Sequence, residues 1–132
     1  MKYRKGYKYQ LVEDESFQIN ILGFNIRTQF IDLWPNGKLT VKSGYAWDGA
    51  SGPTIDTKSS MRASLGHDAL YQLIRNKLLP FSARPHVDDL MLEWLLEDGM
   101  WKLRAKLWRR GVGEFAGFAV LPKYIKKVYE AP

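Results

Sequence analysis

Residues 38–68 read KLTVKSGYAWDGASGPTIDTKSSMRASLGHD, and the apolar period changes within them. Up to Val41, apolar and polar residues alternate, the repeat of a half-buried strand. From Met61 onward the apolar residues recur every three to four positions, the repeat of a helix face. Between the two patterns stand Gly44, Gly49, Gly52 and Pro53, turn residues that interrupt both. The change of period sets the class as α+β: strands first, helices after, with a loop over 44–58 joining them.

Working outward towards the N-terminus, Tyr7–Val12 and Phe17–Leu22 alternate around the polar run Glu13-Asp14-Glu15-Ser16. Phe24–Leu33 and Lys38–Lys42 flank Pro35-Asn36-Gly37, a hairpin signal because Asn and Gly tolerate positive φ. The expectation is an antiparallel β-meander over 1–43. In it Ile26, Thr28 and Phe30 share one strand face, and Leu39 and Val41 share one face of the partner strand.

Towards the C-terminus, a first helix is expected from Ser59 to Lys77, closed by Leu78, Leu79 and Pro80. A second starts with Ser82 as cap and Pro85 in its first turn, and stops at Gly99. A third covers Met100–Arg110 and a shorter fourth Glu114–Val120, giving a bundle of three to four helices over 59–121. Residues 122–132 form a tail, and the whole reads as one domain. Trp101 and Trp108, seven residues apart, make an aromatic stripe on the third helix whose ordinary place is the core.

A chain of 132 residues with 45% hydrophobic and 14% aromatic content has the composition of a globular protein. Cysteine is absent, which excludes disulfide frameworks and thiolate metal sites and suits a reducing cytoplasm. The first ten residues are basic and aromatic without the apolar run of a signal peptide, and no stretch is long enough for a transmembrane segment, so a soluble protein is expected. The net charge of +6 gathers at the two ends, a field that favours polyanionic partners: nucleic acid, anionic lipid or an acidic protein face.

The chemistry concentrates beside the loop. Asp48, Ser51, His67 and Asp68 lie in or next to it, where flanking patterns call for a core, and buried ionisable groups must be paired or metal-bound. On the first helix, His67 and Tyr71 share an apolar face, with Asp68 at its edge. On the second, Asp88 borders the apolar stripe of Val87, Leu90, Met91, Trp94 and Leu95, whereas Asp89 aligns with Glu93 and Glu97 on a solvent-facing ridge. Arg84, one turn before Asp88, is its candidate counter-ion. Asp48, His67, Asp68 and Asp88 form the candidate catalytic set, with Ser51, Tyr71 and Arg84 supporting. His67, Asp68 and Asp88 are also a donor set suited to Zn, Mn or Mg with water completing the shell. The competing reading is a buried structural network in which these groups satisfy one another. Phosphohydrolases of the HD type need a further histidine before the His-Asp doublet; none precedes His67 here.

The pieces VKSGYAWDGASGP (41–53), His67-Asp68-Ala69-Leu70-Tyr71, Arg84 and Val87-Asp88-Asp89-Leu90-Met91 together resemble the domain of unknown function 1353 family, small proteins frequently encoded by bacteriophages and prophages. The matching residues are Asp48, Ser51, Pro53, His67, Asp68, Tyr71 and Asp88. Val87 replaces the family's usual alanine and Met91 an aromatic. The resemblance spans about Lys38 to Gly99 and implies a phage or prophage context, in the cytoplasm of a bacterial host or on the virion, but no settled activity. Two readings follow. One is a small metal-assisted hydrolase acting on a phosphoester or a cell-wall amide. The other is a non-enzymatic particle, assembly or host-interference protein that contacts a phage or host protein. Nucleic-acid binding through Lys2, Arg4, Tyr7, Lys8 and the face from Lys102 to Arg110 is a third, without a recognisable motif behind it.

Overall fold

A computed structural model describes residues 1–4, 9–47, 58–107 and 109–110. Asp48, Ser51, Pro53, Trp108 and the expected helix at Glu114–Val120 lie outside the described residues. Two antiparallel sheets precede the helices, so the class is α+β, and the chain divides into a β unit and a helical unit.

In the β unit, β1 (Tyr3–Arg4), β2 (Tyr9–Leu11) and β7 (Ala46–Trp47) form one sheet in the order β1-β2-β7. The rings of Tyr3, Tyr9 and Trp47 meet over it with centroids 5.6–6.0 Å apart. The second sheet has the order β3-β6-β5-β4, built from β3 (Glu15–Gln18), β4 (Ile26–Arg27), β5 (Ile31–Leu33) and β6 (Lys38–Val41). Its register sets Phe17 and Leu33 on either side of Leu39, and Ile31 beside Val41. Ile31, Leu33, Leu39 and Val41 are wholly buried, so alternation along β6 does assign Leu39 and Val41 to one inner face.

The Asn36-Gly37 turn also forms as expected. Gly37 N–H donates to Trp34 O at 2.9 Å, and Gly37 has φ +87°, open to glycine without steric cost. A Cβ on Gly37 would lie 2.1 Å from Ile19 O, so the neighbouring backbone requires glycine a second time.

Two parts of the expected meander are corrected. Glu13–Ser16 is not a hairpin: β2 pairs with β1 and β7, while β3 starts at Glu15 and pairs with β6. That run holds no residue suited to a tight hairpin's positive φ. Asp14 Oδ1 instead accepts from Ser43 N–H at 2.8 Å, and Ser43 Oγ donates to Val12 O. Nor is Phe24–Leu33 one strand. Thr28 exchanges bonds with Ile31 through both backbone and hydroxyl, folding the segment into the β4–β5 hairpin. Ile26, Thr28 and Phe30 therefore do not share a strand face, although Ile26 and Phe30 are both buried.

In the helical unit, α1 (Lys58–Arg75) is buried on nearly every side from Ser60 to Ile74; in that run only Arg62 and Asp68 are partly open. A helix so enclosed must pair its polar side chains internally. A 3₁₀ turn at Phe81–Ala83 leads into α2 (Arg84–Glu97), which buries Val87, Asp88, Leu90, Met91, Trp94 and Leu95. Pro85 occupies the first turn as expected, but Ser82 is not the cap. The 3₁₀ turn, closed by Ala83 N–H to Pro80 O, puts Ala83 at that position with no side-chain cap bond.

Both helices end alike. Leu78 N–H donates to Leu73 O and Lys77 N–H to Ile74 O; Met100 N–H donates to Leu95 O and Gly99 N–H to Leu96 O. These are Schellman endings, with Lys77 (φ +62°) and Gly99 (φ +92°) in the left-handed position. Backbone at 102–107 and 109–110 is again helical. No helix among the described residues is long and apolar enough to cross a membrane.

Candidate functional site

The one-turn spacing of His67 and Tyr71 on α1 stacks their rings, with centroids 4.1 Å apart and planes inclined at 32°. Asp88 reaches both from α2. Its Oδ1 lies 2.7 Å from His67 Nε2 and accepts the Tyr71 hydroxyl proton at 2.6 Å. Helix phase had separated the two adjacent aspartates: Asp88 is fully buried, and the Asp89 side chain is 62% exposed.

The other nitrogen of His67 faces Asp68, with Nδ1 3.8 Å from Oδ1. Burial alone would lower the imidazole pKa, but the carboxylates of Asp68 and Asp88 more than offset it and hold it above the usual histidine value. The imidazolium, with a proton on each nitrogen, is the form that suits this position. Tyr71 is pushed well above the ordinary phenol range, first by burial and then by its bond to Asp88, so it stays a neutral donor.

Asp88 Oδ2 is buried and has no hydrogen bond among the described residues. Two guanidinium groups lie near it: Arg109 Nη1 at 3.6 Å and Arg84 Nη1 at 4.0 Å. Arg84 is thus within ion-pair range, as expected for a counter-ion, but Arg109 is closer. Arg109 also donates through Nε to Asp89 Oδ1 at 2.9 Å and through Nη2 to Pro85 O at 3.4 Å. The described contacts of the cluster thus join Asp68, Asp88 and Asp89 to His67, Arg84 and Arg109.

Of the candidate residues, the structure brings together His67, Asp68, Tyr71, Arg84 and Asp88; Asp48 and Ser51 lie outside the described residues. Arg109 was missed, being counted with the basic surface. Its signal was Ala105, the one small residue in a bulky basic segment, which marks the inward face one turn earlier and is fully buried. Among the described residues no three His, Asp or Glu side chains are grouped so as to hold a metal ion. Asp68 and Asp88 approach opposite nitrogens of the ring, which separates them as ligands of one ion.

Compared with known proteins, the chain matches no family model, no curated protein and no solved structure.

Proposed function

We propose that this is a non-enzymatic protein of phage or prophage type, a particle, assembly or host-interference component, whose Asp/His cluster fastens its helices together. The observation carrying this reading is His67: 3% exposed, with a carboxylate against each ring nitrogen. A general base must offer a lone pair to its substrate. Here Asp88 takes Nε2, the Asp68 carboxylate stands 3.8 Å from Nδ1, and Tyr71 already gives its proton to Asp88. The phage context rests on the motif resemblance from Lys38 to Gly99. The test pairs unfolding of His67→Ala with turnover assays on phosphoesters and cell-wall amides. The expected result is a lowered unfolding midpoint and no turnover by the parent protein. A well-folded His67→Ala protein that loses a measurable hydrolytic activity overturns the reading.

One observation favours the metal-assisted hydrolase as a second reading. The Asp68 side chain is 22% exposed beside Nδ1, while Asp88 braces Nε2. A carboxylate bracing one nitrogen while the other meets a metal is a common ligand arrangement. In that case His67 and Asp68 would hold Zn, Mn or Mg, Asp88 would orient the ring, and the ion would supply a hydroxide from its bound water. A rise in unfolding temperature on adding one of these ions, lost in Asp68→Asn, is the outcome that selects this reading.

A further inference from the structure

The segment between Gly99 and Gly113 carries five basic residues and no acidic one, interleaved with Met100, Trp101, Leu103, Leu107 and Trp108. Its described part is helical from Lys102 onward, and the Trp101 carbonyl accepts the Ala105 N–H at 2.9 Å at the start of that helix. Ala105 is fully buried, whereas Trp101 is 85%, Leu103 74% and Leu107 57% exposed. At 3.6 residues per turn, Leu103 and Leu107 stand about 160° and 200° round the axis from Ala105. They therefore point away from the side that Ala105 buries and that Arg109 ties to α2. Lys106 and Arg104, both exposed, flank the leucine pair on opposite sides, and exposed Lys102 lies at the same end as Trp101.

We propose that this outward face binds the surface of an anionic lipid bilayer. The inference stands on residues separate from the Asp/His cluster and is independent of the cluster's role. Two adjacent leucines projecting from a convex helix have the shape of an interfacial anchor, seated at the boundary of headgroups and acyl chains. The flanking cations meet the negative headgroups. Single-stranded nucleic acid would use the cations and a stacking ring but bury no leucine. A protein partner of ordinary interface size needs a broader patch than one turn of helix supplies. Of the acids on α2, Arg109 holds Asp89 and Arg62 holds Glu97 and Asp98 at 2.8–3.2 Å, while Glu93 is exposed.

The experiment is co-sedimentation of the full chain with phosphatidylcholine vesicles, either pure or containing about one third phosphatidylglycerol. Binding to the anionic vesicles is expected, weakened by salt and much weaker on the neutral ones. Replacing Lys102 and Lys106 by alanine should reduce it about 30-fold. Leu103→Glu with Leu107→Glu should abolish it, at an unchanged unfolding midpoint because both side chains are exposed. No binding to anionic vesicles overturns the proposal, as does equal binding by the double glutamate variant. Loss of the folded state in that variant also overturns it, since the leucines would then be core. So does tighter binding to single-stranded DNA or to an acidic protein than to anionic vesicles, with the same loss on the leucine changes.

Discussion

His67 and Asp88 join α1 to α2 through a 2.7 Å contact between two side chains that are 3% and 0% exposed. A buried pair of this kind adds modestly while intact and costs heavily when halved, because the surviving partner is left charged in the core. Asp88→Ala removes the buried carboxylate that His67, Arg84 and Arg109 share, leaving His67 with Asp68 and Arg109 with Asp89, and should cost about 3–5 kcal/mol. His67→Ala leaves Asp88 with Tyr71 and two guanidinium groups and should cost less. Urea unfolding of the two variants checks the order; an Asp88→Ala protein as stable as the parent would refute the network's structural role.

The raised pKa of His67 gives stability a pH dependence. The folded state holds the imidazole proton more tightly than the unfolded chain, whose histidine titrates near 6.5. Its contribution is complete below that value and is lost as pH rises through the higher folded value. The thermal midpoint should therefore fall between about pH 6.5 and the folded pKa. In His67→Gln this descent should disappear, and a parent protein whose midpoint rises over the same interval would contradict the assignment.

Tyr71→Phe removes one donor from Asp88 Oδ1 and leaves the ring against His67. The loss should be about 1.5–3 kcal/mol, the range for a hydrogen bond to a charged acceptor. Chemical denaturation measures it, and a change below a few tenths would show that the hydroxyl bond contributes nothing.

Lys77 occupies in the ending of α1 the place that Gly99 occupies in α2, and a side chain in the left-handed position is strained. Lys77→Gly should raise stability by about 1 kcal/mol, and Gly99→Ala should lower it by a similar amount. No atom lies within 4 Å of a Cβ added at Gly99, so conformation alone sets that cost. Gly37→Ala, which meets Ile19 O as well, should cost clearly more. Equal losses at Gly37 and Gly99 in equilibrium unfolding would remove the backbone clash from the account.

Features set by local period were legible in the sequence. Helix phase distinguished buried Asp88 from exposed Asp89, and alternation found the inner face of β6. Asn36-Gly37 marked its turn because backbone chemistry within those two residues decides it. Strand partners were not legible: β3 pairs with β6 across nineteen intervening residues or more, and alternation does not say which strand lies alongside. Ser82 failed as a cap because Pro80 initiates a 3₁₀ turn that shifts the helix start. Trp101 was expected in the core from its residue type, yet it is 85% exposed, since its place depends on what the rest of the helix faces. Of the site, the members on α1 and α2 were readable from phase, while Arg109 arrives from a later segment by tertiary packing.

The strands of the β unit are nested around the Asn36-Gly37 turn: Leu33 pairs with Leu39, Phe17 with Leu39 from the other side, and Tyr9 with Trp47 outermost. Each inner pairing shortens the loop that the next must close, which lowers the entropy of closure. Assembly of this unit then has a natural order, beginning at the turn and zipping outward to the N-terminal strands. In refolding kinetics, Gly37→Ala should mainly slow folding, whereas Leu11→Ala on β2 should mainly speed unfolding. Equal partition of both between the two rates would show that the sheets form together.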